Sequence, residues 1–334
     1  MSNSTANGEE AKNKESLISK VLKVTIPLIL GVIILYFLYK GTDFNSLWQI
    51  IKDANWGILA FSLIFGLSGN VIRGFRWELL INPLGYKPRR SSLIYAVLGN
   101  YAVNFALPRA GEIWRCGVIS KDEKIPFKKL IGTLIVDRIF DTLMVAFILL
   151  LAFVSNIAVF MRKSGDFNIP PFLTSFWFYA AIVGGSIVLI AIFVIFKENK
   201  IIKKAWIFIS GIWEDLKIVW KMKEKKRFII YTFGIWISYF LYFYVTFFAF
   251  DFTFDLGVAA ALFIFALSSI SMAIPSNGGL GPWQAAVVFG LVAFMVDTEQ
   301  AKAFATAVFT FQSIWVVLCG LFGIAALTIQ NRKS

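Results

Sequence analysis

The sequence predicts an all-α polytopic membrane protein with six full spans and two oppositely oriented re-entrant hairpins. Three observations carry this reading. Of 334 residues, 58% are hydrophobic and 16% charged, whereas an ordinary soluble domain is about a quarter charged. Six apolar stretches, 24–40, 56–80, 128–155, 174–196, 228–250 and 300–329, approach or exceed the ~20 residues that cross a bilayer. Two more, 91–120 and 256–297, are broken by Pro108 and Pro282.

The elements follow in order. Residues 1–23 are polar and mixed in charge and read as a cytoplasmic N-terminus. The run beginning at Val24 reads as a retained anchor, because a secretory signal has a shorter basic lead and a small-residue cleavage site. Residues 24–329 then form a single transmembrane domain, and 330–334 a cytoplasmic tail. Orientation comes from Lys and Arg in the short loops. Lys12, Lys14, Lys20 and Lys23, the group from Arg73 to Arg90, Lys121 to Lys129, the dense cluster from Lys197 to Arg227, and Arg332 with Lys333 fall on one side. The intervening loops, with Asp43, Asp53, Asp166, Asp251, Asp255, Asp297 and Glu299, are poorer in Lys and Arg. Both termini are therefore expected in the cytoplasm, in a bacterial cytoplasmic (inner) membrane. Arg73 and Arg76, near the cytoplasmic end of the second span, read as positive-inside anchors, with a ligand-binding role as the other reading. Residues 200–222 carry apolar side chains at three- to four-residue steps with lysines between them. They read as an amphipathic helix on the cytoplasmic interface, with a lid helix as the other reading.

The broken stretches are too short to cross twice. Before Pro108 the first has 17 residues, and the 12 after it cover only about 18 Å as helix. In the second, the 15 residues from Pro282 to Val296 cover about 22 Å. Both read as hairpins that return to the side they entered, the first from the cytoplasm and the second from outside. Non-helical backbone at membrane depth persists only where it is buried in protein or lines a watery cavity. The tip "SNGGLGPWQ" supplies glycines for a tight turn and Pro282 for the first turn of the returning half-helix. That helix start is a seat for an anion; a purely structural kink is the alternative. Each hairpin belongs to a four-part unit, 24–155 and 174–329, with "ALPRAGE" in one facing "AIPSNGG" in the other. This is the inverted-repeat plan used by many secondary transporters.

Polar residues inside the spans mark the candidate site. Asp137 and Asp141, four apart, share a face of the third full span with Arg138 beside them, ~15–20 Å deep if the helix enters near Phe127. Ionised groups there need interior partners. They form either a self-compensating structural pair or, with Asn104, Arg109, Glu112 and Arg115, a polar cavity whose arginines hold a phosphate. Asn277, Gly279 and Gln284 are the candidates at the second tip.

Other chemistries lack residues. The net charge of +13 sits in loops beside lipid rather than in a nucleic-acid-binding face. The chain has no histidine, and Cys116 and Cys319 lie in apolar runs, so no metal site or disulfide framework is expected. No nucleophile–base pair or Walker loop is present, and no cofactor is expected.

"NFALPRAGEIWR" (Asn104–Arg115), "VDRIFDTL" (Val136–Leu143) and "IPSNGGLGPWQ" (Ile274–Gln284) resemble three signatures of the lysylphosphatidylglycerol synthase transmembrane, or flippase-like, family, and "IRGFRWELL" (Ile72–Leu80) resembles its second span. The resemblance runs in order from about residue 20 to 329. It implies two re-entrant hairpins and, by analogy with members that move aminoacylated phosphatidylglycerol between leaflets, a lipid-handling role. The synthetase domain of those members has no counterpart here, so lipid aminoacylation is not expected. Other relatives accompany glycosyltransferases and polyprenyl-phosphate pathways, so cargo does not transfer with fold. The family often has Glu where Asp137 stands and an acidic residue where Gln284 stands; the second departure removes a charge from the outer hairpin. The reading is a lipid transporter or flippase, without ATPase activity of its own, that holds an anionic lipid head group, with a separate lipid-modifying enzyme as partner. The competing class is a membrane enzyme of lipid-linked glycan synthesis or its non-catalytic partner. The sequence leaves the oligomeric state open.

Overall fold

The computed structural model describes residues 25–163 and 222–332, with side chains to Asn156 in the first segment and to Gln330 in the second. The expected N-terminal segment 1–23, the span 174–196 and all but the last residue of the amphipathic helix 200–222 lie outside the described residues. The described residues are helical, with no strand among them. In order these are α1 (Thr25–Tyr39), α2 (Phe44–Lys52), α3 (Trp56–Ile81), α4 (Arg90–Ala106), α5 (Ala110–Asp122), α6 (Phe127–Lys163), α7 (Lys225–Tyr244), α8 (Asp251–Phe254), α9 (Gly257–Ser271), α10 (Pro282–Ala293) and α11 (Thr298–Arg332). Short 3-10 turns, Asn82–Leu84 and Val245–Ala249, extend α3 and α7. The chain divides into two compact units, Met1–Ala152 with Lys226–Ser334, and Phe153–Lys225; the contacts below belong to the first.

Local chemistry sets the helix starts. Asp43 Oδ1 accepts from Asn45 N at 2.9 Å to cap α2, and Asn55 Oδ1 accepts from Gly57 N and Ile58 N to cap α3. Asp297 caps α11 in the same way, accepting from Glu299 N at 2.9 Å. Among the described residues, α3 and α7 with their extensions and α11 are long and apolar enough to cross a membrane. A fourth candidate is the pair α1 and α2, bent by 95°. The run expected as a simple anchor at 24–40 thus turns a corner at its end. Helix α6, 37 residues long, covers the stretch expected as the third full span.

The two proline breaks lie where the sequence places them. Helix α4 stops at Ala106 and α5 starts at Ala110; α9 stops at Ser271 and α10 starts at Pro282. With 13 and 12 residues, α5 and α10 measure about 20 and 18 Å, well short of a ~30 Å hydrocarbon core.

Two apolar cores hold the helices. One gathers Leu59, Met144, Ile148, Phe243, Phe247, Ile264, Leu291 and Phe304. The other gathers Trp77, Leu93, Val97, Cys116, Ile119, Leu130, Leu134 and Leu327. Helix α11 packs on α4 through a small-residue seam: a Cβ built on Gly320 would lie 2.5 Å from Ala102 Cβ, and one on Gly323 2.6 Å from Tyr95 O. Backbones approach this closely only where side chains are absent, the usual way helices associate when lipid supplies no hydrophobic drive. Along both α3 and α6, the stretch between the two cores is occupied by charge.

Candidate ionic site between α3, α5 and α6

Helix α3 carries Arg73 and Arg76 three residues apart, and α6 carries Asp137 and Asp141 four apart; each spacing puts the pair on one helix face. The two faces meet. Arg73 Nη1 lies 2.7 Å from Asp141 Oδ2 and 3.5 Å from Asp137 Oδ2. Arg76 Nη2 bridges Asp137 Oδ1 at 2.5 Å and Asp141 Oδ1 at 2.7 Å. From α5, Arg115 Nη2 reaches Asp137 Oδ2 at 3.1 Å, with its guanidinium 4.7 Å from the Trp77 ring centroid. Trp77 Nε1 in turn donates to Thr133 Oγ1 at 2.9 Å, so the indole is fixed from both ends. All five charged side chains are buried. Asp137 stands ten residues into α6, on the order of 15 Å along its axis.

Three guanidiniums against two carboxylates leave one positive charge in excess. Arg76 Nε and Arg115 Nε have no hydrogen-bond partner among the described residues. Buried charge is costly unless compensated, so this interior favours the approach of an anion. At its border Arg138 pairs with Glu112 of α5 and lies 3.8 Å from Asp141 Oδ2. This pair is the accessible part: the Arg138 side chain is 47% exposed and Glu112 23%.

A hydroxyl chain adjoins Arg73. Its Nε donates to Tyr239 Oη at 3.3 Å; Tyr239 donates to Asn70 Oδ1 at 2.8 Å and lies 2.9 Å from Tyr101 Oη. Tyr239 spends its one proton on Asn70, so Tyr101 is the donor in the last contact.

The hairpin tips also touch. Arg109, in the left-handed region at φ 62, donates from Nη2 to Ala273 O at 2.6 Å. Asn277 Nδ2 donates to Phe105 O at 3.1 Å. Gly278 (φ 61) sits against the Phe105 ring, where a Cβ would come within 2.5 Å of Cζ, and Gly279 (φ 90) has Met272 Sδ 2.6 Å from its missing Cβ. Positive φ favours glycine at both positions; at Gly278 the Phe105 ring adds a demand for space, while at Gly279 the neighbour is a flexible Met side chain.

The sequence-derived candidates therefore separate. Glu112, Arg115, Asp137, Arg138 and Asp141 come together; Arg109 and Asn277 form the tip contact instead, and Gly279 packs within its own turn against Met272. Asn104 Oδ1 accepts from Gly111 N at 2.8 Å and so caps α5 across the break. Gln284 Oε1 accepts from Gly281 N at 2.7 Å and closes the first turn of α10. Two expectations are corrected. Arg138 is not the interior counter-ion of the aspartates, and Arg73 and Arg76 are not surface anchors: they are 5% and 0% exposed and hold the carboxylates. The signal that identifies them is complementary spacing on two apolar spans, which counting loop charges does not use.

The model of the lysylphosphatidylglycerol synthase TM region matches residues 24–320. The chain belongs to this family. Three curated relatives are similar over parts of the chain. A UPF0104 membrane protein of Methanocaldococcus jannaschii is 26% identical over 126 residues, 37% of this chain and 38% of the relative. The glycosyltransferase AglD of Haloferax volcanii is 25% identical over 130 residues, 39% of this chain and 21% of the relative. A UPF0104 membrane protein of Archaeoglobus fulgidus is 24% identical over 207 residues, 60% of this chain and 56% of the relative. The matched regions thus span from about a fifth to a little over half the length of these relatives. No solved structure matches. Family membership and the apolar helices make the chain an integral membrane protein.

Proposed function

We propose that this lysylphosphatidylglycerol synthase TM-region protein binds an anionic lipid head group and carries the lipid between leaflets. The observation that supports it is the uncompensated guanidinium charge of Arg73, Arg76 and Arg115 around Asp137 and Asp141, deep within apolar helices. The head group enters at Arg138, taking the place of the Glu112 carboxylate, while the acyl chains remain in lipid. A phosphate there makes paired charge-assisted hydrogen bonds and offsets the excess charge. In this reading the tip contact of Arg109 and Asn277 separates the two sides, Asn104, Gly279 and Gln284 shape the two turns behind it, and the start of α10 faces an anion. The accompanying architecture is six spans with the hairpins in opposite orientations, an inverted repeat of 24–155 and 174–329, and cytoplasmic termini in a bacterial cytoplasmic membrane. A separate enzyme makes or modifies the lipid.

Mass spectrometry of lipids that co-purify with the chain, and with its Arg138→Gln variant, tests the binding. The proposal expects an anionic lipid at the wild-type protein and its loss from the variant, at unchanged folding. Equal lipid content in the two would overturn it.

The glycosyltransferase relative supports a second reading, a role in glycolipid synthesis as membrane enzyme or non-catalytic partner. Asp137→Asn and Asp141→Asn discriminate. Both substitutions leave the arginines in place and add to their charge excess, so lipid binding kept together with transport favours carriage; loss of turnover with binding intact favours catalysis.

A further inference from the structure

Helix α2 presents two different faces. Leu47 and Ile51 are buried in the core, while Phe44, Trp48 and Lys52, at four-residue steps on another face, are exposed. Lys52 Nζ sits 5.6 Å from the Trp48 ring centroid, and Asn45, Gln49 and Asp53 are exposed beside them. The corner that turns α2 by 95° away from α1 is tied to the first turns of α11. Lys302 Nζ donates to Thr42 Oγ1 at 2.8 Å and pairs with Glu299 Oε1 at 2.9 Å. Tyr39 Oη meets Thr306 Oγ1 at 2.5 Å.

We infer that α2 is a foot resting in the phospholipid head-group layer rather than half of a broken span. Inside hydrocarbon, Asn45, Gln49, Lys52 and Asp53 would be stranded without partners. In bulk water, Phe44 and Trp48 would be large exposed apolar groups flanking polar ones. Only the interface accommodates aromatic rings, amides and a lysine along one short helix. Its level agrees with its neighbours: α1 ends, α3 begins at the exposed Trp56 and α11 begins in the same corner. The Lys52 ammonium is then within reach of lipid phosphate. A second copy of the chain on this face is the competing occupant, and it offers nothing for Asn45, Gln49 and Asp53 that lipid head groups and water do not.

Spin labels at Phe44→Cys and Trp48→Cys test this in the full chain carrying Cys319→Ala, in bilayer discs of phosphatidylcholine with phosphatidylglycerol. Unlabelled-site background is taken from the same chain without the added cysteine. Collision with oxygen and with a water-soluble nickel chelate gives depth. Reference labels are Ile64→Cys, on the exposed middle of α3, and Asp255→Cys, an exposed carboxylate position in the turn between α8 and α9. The labels on α2 are expected at intermediate depth, between the two references. A depth equal to that of Ile64→Cys would restore the broken span, and nickel access equal to that of Asp255→Cys would put α2 in water. Dipolar broadening between labels would mean that a second copy covers the face. Each of these three outcomes overturns the inference.

Discussion

Arg76 Nη2 lies 2.5 Å from Asp137 Oδ1, and neither side chain reaches solvent. The same nitrogen also holds Asp141, so one guanidinium bridges two buried carboxylates.

Removing it leaves Asp137 Oδ1 and Asp141 Oδ1 buried without their donor, although Arg73 and Arg115 still balance the two charges. Arg76→Ala is expected to cost on the order of 3–5 kcal/mol. Arg138→Ala, at a half-exposed pair, should cost about 1 kcal/mol or less. Thermal unfolding of both variants in one detergent measures the difference, and equal shifts would show that the burial argued for Arg76 is wrong.

The tip contact makes a separable prediction. Gly278→Ala combines a positive-φ penalty of roughly 1 kcal/mol with a clash against the Phe105 ring. Adding Phe105→Ala should recover the steric part but not the conformational part. If the double variant melts no higher than the sum of the two single losses predicts, the ring is not what Gly278 accommodates.

Hairpin orientation is tested at the mouths rather than the tips. Lys124 follows α5 and Asp255 precedes α9, and both are exposed. Cysteines at the two positions are expected to react with an impermeant maleimide from opposite sides of sealed vesicles. Labelling from one side alone would end the inverted repeat.

Glu112 competes with the proposed ligand for Arg138. Glu112→Gln should therefore tighten anionic-lipid binding, by up to about fivefold for an ion pair of this exposure, with less effect at high salt. Flotation with vesicles containing phosphatidylglycerol measures it; weaker binding would mean that Glu112 assists the ligand.

Much of the architecture was legible because it rests on local rules. Pro108 and Pro282 break helices wherever they occur in an apolar run, and α3, α7 and α11 announce themselves by length. The corner after Tyr39 was hidden, since the residues that hold it, Lys302 and Thr306, come from more than 250 positions away. At the site, polarity in an apolar setting flagged Asn104 and Gln284 as readily as Asp137, because composition carries no direction. Asn104 and Gln284 turn out to satisfy nearby backbone N–H groups. Arg73 and Arg76 were misread for the converse reason: a basic residue near a helix end looks like an anchor until the helix that faces it is known.

The ionic bridge between α3 and α6 has a mechanical consequence. Sliding either helix by one turn, about 5.4 Å, would break every ion pair of Arg73 and Arg76 with Asp137 and Asp141 at once, so the two helices behave as a single girder. The joint between hairpins is of another kind: Arg109 and Asn277 each donate to one backbone carbonyl, and two such bonds can part and reform without breaking an ion pair. Relative motion of these helices is therefore expected at those tips, and amide exchange should be fastest at 105–110 and 273–281 while 70–77 and 134–142 stay closed.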